Sequence, residues 1–187
     1  MKYLLTILLM LTAVVSPAQS TEHPAILETI LKTYYKNERP VIKGRAMQYL
    51  FLYCDKVNNN EELYETINML DLSKNIKSLL KQQVTTNVTP DTWNANLETV
   101  FEGNESLRMK VNECLSLEAF QEIQKKSNKN THRLMIISKP VFFPDKKTAL
   151  VKLVFYRTIE HNKGSVLKME KVGGKWIIKE HLSQWET

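Results

Sequence analysis

The chain has 187 residues, with 26 Lys and Arg against 20 Asp and Glu, a net charge of +6, and 43% hydrophobic residues. No Pro-, Gly- or Ser-rich stretch, internal repeat or low-complexity segment divides it, which excludes a linker-joined or repeat architecture. The charge is lopsided: residues 121–187 hold 14 Lys and Arg against 6 Asp and Glu, whereas residues 21–120 hold 11 against 14.

Residues 1–20 read as a secretory signal peptide: one charge at Lys2, an apolar run from Tyr3 to Val15, then the small-residue exit Ser16-Pro17-Ala18-Gln19-Ser20. The apolar run is shorter than the roughly 18 residues a spanning helix needs, so removal rather than a stable membrane anchor is expected. No cysteine follows the run to accept a lipid. The expected product is exported, periplasmic or extracellular. Residues 21–187 then form one domain that buries about two-thirds of its unfolded surface.

The first part of that domain, residues 21–127, reads as helices. Pro24 sits in a first turn, followed by Ile26, Leu27, Ile30, Leu31 and Tyr34 at helical spacing. From Gly44 to Val57 apolar residues leave little polar face, and the expectation is a buried helix carrying Tyr49, Tyr53 and Cys54. Asn58-Asn59-Asn60 before Glu61-Glu62 reads as a cap with acids in the first turn, and Ser73 as the cap of a further helix. Thr89-Pro90-Asp91 opens another, with Trp93, Leu97, Val100 and Phe101 on one side and Gly103 as its stop. A longer helical region runs from Asn104 to about Lys126, with Cys114 on its apolar face and a break near Ser116.

Residues 131–183 read as an antiparallel meander of about four strands. Leu134 to Phe143 is the first, placed at an edge or bulged by Pro140, which cannot donate to a ladder. Pro144-Asp145-Lys146-Lys147 turns the chain into a central strand, Ala149 to Tyr156. Gly173-Gly174 suits a two-residue primed turn, making Ser165 to Val172 and Lys175 to Leu182 a hairpin. In that register Lys171 faces Trp176, Met169 faces Ile178 and Leu167 faces Glu180. One face then carries Leu167, Met169, Trp176 and Ile178, and the other Lys168, Glu170, Lys175 and Lys179. The class is α+β, with N-terminal helices packed on the C-terminal meander.

Ile137-Ser138-Lys139-Pro140-Val141-Phe142-Phe143, Lys147-Thr148-Ala149-Leu150-Val151 and Gly174-Lys175-Trp176 resemble the C-terminal module of a group of small exported bacterial proteins of uncharacterised function. The likeness covers about residues 117–182. Many members carry a Gly- and Cys-rich loop between the second and third strands. Here Arg157 to Gly164 fills that place without cysteine. The element order also resembles the cystatin-like, or nuclear-transport-factor-two-like, α+β fold. That resemblance implies a cavity under a curved sheet, for which the strand-face reading offers Phe155, Met169, Trp176 and Ile178 as wall candidates. Tyr53 and Trp93 join them as aromatics that either line such a pocket or fill the core.

Motifs for chemistry are few. His23, His132, His161 and His181 lack metal-ligand spacing, and no nucleophile elbow, phosphate-binding glycine loop or zinc-protease helix is present. No metal and no cofactor is expected. Cys54 and Cys114 are either one disulfide, favoured by export, or two buried thiols. The expected function is a non-catalytic binding domain that uses a basic sheet face bearing Lys152, Lys168, Lys175 and Lys179, or the loop between strands, on an anionic envelope or extracellular component. The alternative is a small-molecule-binding or enzymatic domain with a pocket between helices and sheet. Nucleic acid is the least expected partner, because export separates the chain from it and no recognition motif accompanies the charge.

Overall fold

The computed structural model describes residues 22–41, 48–57, 61–86, 90–127 and 131–187. The signal-peptide expectation, Asn58 to Asn60 and Thr89 lie outside those residues. Among the described residues, six helices and a mixed seven-stranded sheet make an α+β fold, with the helices mainly N-terminal. The helices are α1 (Glu22–Tyr34), α2 (Glu61–Met69), α3 (Lys74–Thr86), α4 (Asn94–Phe101), α5 (Glu105–Val111) and α6 (Leu117–Ser127). The strands are β1 (Leu50–Tyr53), β2 (Cys114–Leu115), β3 (Arg133–Ile137), β4 (Val141–Phe142), β5 (Thr148–Thr158), β6 (His161–Val172) and β7 (Lys175–Glu186). Their order is β2-β1-β3-β5-β6-β7, with β4 also bonded to β5. The pairs from β3 to β7 are antiparallel, and β1 is parallel to both its neighbours.

The sheet is covered on both faces, so its inner strands are apolar at nearly every position. On the first face α1, α4 and α5 bury Leu50, Leu52, Met135, Val151, Leu153, Leu167, Met169 and Trp176. On the second, α2 and α3 cover Val141, Leu150 and Val166, while Phe120 of α6 packs on Phe51 and Leu134. Glu22 ties α1 to the β6–β7 hairpin by accepting from Lys171 Nζ at 2.7 Å and from Trp176 Nε1 at 2.7 Å. Burial works to raise the Glu22 pKa, but those two donors outweigh it and hold the carboxyl below its usual range.

Several expectations are corrected. The stretch expected as a buried helix contains β1 instead; its residues 42–47 lie outside the described part. Leu50 and Leu52 enter the first-face core, whereas Phe51 and Tyr53 pack on the other side. A strand buried on both faces has no polar face, and over so few residues it reads like a buried helix. The region from Asn104 to Lys126 is two helices, with Asn112 at φ +62 and β2 between them. Leu134 to Phe143 is two strands broken at Pro140, as the proline implied: β3 is interior, between β1 and β5, and only the short β4, which pairs with β5 alone, is at an edge.

Other local signals persist in three dimensions. Ser73 Oγ accepts from Ile76 N at 3.4 Å at the start of α3. Asp145 accepts from Lys147 N and Thr148 N in the turn before β5. Gly173 and Gly174 have φ of +56 and +81, the signs a primed turn requires. Lys171 pairs with Trp176 and Met169 with Ile178, but a bulge then shifts the ladder. Lys168 pairs with Glu180, and Leu167 with His181 instead of Glu180. Lys179 is the extra residue, and the bulge brings His181 to the first face.

Candidate functional site

The site follows from a mismatch of lengths. The 13-residue α1 spans about 20 Å, whereas the 11-residue β5 spans about 35 Å. Pinned by Glu22 at the β6–β7 turn, α1 runs out at Tyr34, whose ring meets Phe155 edge-on at 5.2 Å. Lys110 Nζ covers the helix end by donating to the carbonyls of Tyr35 and Lys36 at 3.2 and 2.8 Å. Beyond that point no helix among the described residues lies over the first face of β3, β5 and β6.

What projects there is set by register. Met135 pairs with Phe155, and Phe155 with Lys163. Alternation then puts Arg133 on the same face as Phe155, next to Lys163, and Arg157, the extra residue where the β5–β6 ladder shifts, lines the same hollow. The bare end is a cleft made of two adjoining hollows of about 450 and 500 Å³. They share Tyr49, Arg133, Phe155 and Lys163. The first also takes Arg157, His161, Asn162 and Glu186, and the second Tyr34, Asn37, Glu38, Ser165, His181 and Gln184. Tyr49 borders both hollows beside Arg133, its carbonyl accepting from Arg133 N at 2.8 Å, while its ring, part of a side chain 46% exposed, lies 6.3 Å from that of His132.

The electrostatics are uneven. Lys163 reaches Glu186 at 3.6 Å. The guanidinium groups of Arg133 and Arg157 have neither a carboxylate nor a hydrogen-bond partner among the described residues. Two planar cations without a counterion in one concavity attract a carboxylate or phosphate, which each can grip through two parallel N–H donors. Burial raises the Tyr34 pKa, so its phenol stays neutral beside them.

Nothing in the cleft forms a hydrolytic triad. Ser165 Oγ and His181 Nδ1 are 3.3 Å apart, and no described carboxylate hydrogen-bonds the imidazole, so the contact ties β6 to β7. His161 Nδ1 is similarly engaged by Thr158 Oγ1 at 3.1 Å. No group of three or more His, Cys, Asp or Glu is placed to hold a metal among the described residues.

Of the pocket residues read from the sequence, Phe155 alone lines the cleft. Trp93, Met169 and Trp176 are core, and Ile178 packs against them. Trp93 donates from Nε1 to the Ile137 carbonyl at 3.3 Å. Tyr53 lies on the second face and donates to Asp55 at 2.9 Å; burial, and then Asp55, push its phenol up to about 12. The lysines expected on a wet sheet face are dispersed. Lys152 is buried under α2 with its Nζ 2.7 Å from Glu62, a correction that follows from the helix covering that face. Glu170 lies 3.5 Å from Lys168 and 3.9 Å from Lys179, and Lys175 is exposed at the turn.

Cys54 and Cys114 are joined, with Cα atoms 4.8 Å apart. They come from the end of β1 and from β2, rather than from helical faces as read from the sequence. A second buried cluster lies by the start of α1. Lys56 Nζ is 2.8 Å from Asp91 and 4.7 Å from the Trp93 ring centroid, and the His23 ring stacks on Phe142 at 6.0 Å. Burial, then Lys56, pulls His23 down to about 4, with Asp91 opposing and Lys139 adding to the fall.

Arg133 went unnoticed in the sequence because it belongs to no motif. Its signal is a charge at a first-face position of a strand that is otherwise apolar on that face. No family model, curated protein or solved structure matches this chain. Among the described residues no helix is long and apolar enough to cross a membrane.

Proposed function

We propose that the protein is an exported, non-catalytic binding domain that holds an anionic ligand in the cleft at the uncovered end of its sheet. The observation carrying this reading is the pair of unpartnered guanidiniums of Arg133 and Arg157 in one concavity, beside the ring of Phe155. Arg133 of β3, Arg157 of β5 and Lys163 of β6, rather than the lysines of the hairpin, supply the charge. Export is supported by the apolar run and small-residue exit of residues 1–20, and the disulfide suits an oxidising compartment. One helix laid across antiparallel strands with a cleft at its end supports a distant cystatin-like relationship, which by itself assigns no function.

The test is retention of the purified protein on an immobilised polycarboxylate. Arg133→Gln/Arg157→Gln should abolish retention, and added salt should weaken that of the parent. Lys168→Glu/Lys175→Glu/Lys179→Glu should leave it intact. Loss in the lysine variant with retention in the arginine variant would move the function to the hairpin face.

A further inference from the structure

Resting on that reading, we infer that the anion is carried on a polyhydroxylated chain: the ligand is an acidic oligosaccharide rather than a small polycarboxylate or a lipid headgroup. The two hollows share four lining residues, so the cleft is one trough long enough for more than one sugar unit. Its two ends differ in chemistry. The unpartnered cations Arg133 and Arg157 border the first hollow, and Arg157 belongs to it alone. The second adds Asn37, Ser165 and Gln184, neutral groups that donate and accept hydrogen bonds as sugar hydroxyls do, and one carboxylate, Glu38, which accepts from a hydroxyl. Where the hollows meet, the Phe155 ring offers flat apolar surface to the C–H face of a pyranose. A small polycarboxylate would use the first hollow and leave the second empty. A bilayer would need an apolar rim, and the nearby β5–β6 tip presents a single exposed aliphatic side chain, Ile159. A uronate chain satisfies both ends, its carboxylate on the guanidiniums and its next ring over the amides.

The experiment is calorimetric titration of the full exported protein with hexameric uronates, their methyl esters, citrate, and vesicles containing an anionic phospholipid. A hexuronate should bind at least about tenfold more tightly than citrate, and esterification should abolish binding. Arg133→Gln should weaken both the hexuronate and citrate. Asn37→Ala/Gln184→Ala should weaken the hexuronate several-fold and leave citrate unchanged, a split that general unfolding would not produce. If citrate or vesicles bind as tightly as every hexuronate, and Asn37→Ala/Gln184→Ala changes nothing, the oligosaccharide inference is overturned while the anion-binding cleft stands. If no anion binds, or Arg133→Gln leaves all affinities unchanged, the underlying reading fails with it.

Discussion

Lys152 gives a sharp test of how the sheet is covered. Its side chain is 7% exposed and lies 2.7 Å from Glu62, whose side chain is 35% exposed. The backbone beneath is fixed as well: Lys152 N donates to Ser138 Oγ at 2.9 Å, and Ser138 N donates to the Lys152 carbonyl at 2.9 Å. Removing either partner should therefore have unequal costs. Glu62→Leu leaves an enclosed ammonium without its carboxylate and should cost about 2–4 kcal/mol. Lys152→Met leaves a carboxylate that water can still reach, and should cost about 1–2 kcal/mol after discounting for that exposure. The double variant replaces the pair with apolar groups and should return to within about 1 kcal/mol of the parent, giving a coupling well above 1 kcal/mol. Urea unfolding followed by tryptophan fluorescence resolves this, because with a slope of about 2 kcal/mol/M a 3 kcal/mol loss moves the midpoint by about 1.5 M. Additive single effects of a few tenths of a kcal/mol would refute the reasoning. They would mean that α2 does not close this face and that Lys152 is solvated.

Further expectations concern the core and its cross-link. His23 has a folded-state pKa of about 4 against an ordinary 6.5, so the unfolded chain binds the additional proton between those values. Its contribution is present above about pH 6.5 and is lost as pH falls toward 4, on the order of 2–3 kcal/mol in all. Glu22, Asp91 and Asp145 are held below their usual range, so their contribution is lost only as pH falls further into the acid range. Stability curves of His23→Gln should thus be flatter than the parent's between pH 4 and 6.5, and parallel curves would refute the assignment. Gly164→Ala would drive a Cβ into the Trp185 indole at Cζ2 and Cε2, so the indole must leave β6, at about 1–3 kcal/mol. Adding Trp185→Ala should remove the clash, and thermal melts showing no such rescue would count against the close approach. Reducing Cys54–Cys114, which closes a separation of 60 residues, should cost about 4 kcal/mol in the chain-entropy account. An unchanged urea midpoint in dithiothreitol would contradict it.

The hairpin was legible because its information is local: two glycines, alternating faces and Trp176 near the turn. β1 was not, since Leu50 to Tyr53 is apolar throughout and only its neighbours β2 and β3 make it a strand. The sheet's second face was misread at Lys152 because α2, from nearly a hundred residues earlier, covers a position that looks solvated on its own strand. The cleft depends on two nonlocal facts. Arg133 meets Arg157 through the β3–β5 register, and His181 reaches the first face through the bulge at Lys179. Neither follows from spacing, because a one-residue slip exchanges the faces of everything beyond it.

The central claim is that anions enter the cleft and not the hairpin face. It is tested most directly by titrating citrate into the ¹⁵N-labelled protein and following backbone amide shifts. The account predicts salt-sensitive shifts clustered at Arg133, Phe155, Arg157 and Lys163, absent in Arg133→Gln/Arg157→Gln. Shifts clustered at Lys168, Lys175 and Lys179, or none at all, would contradict it.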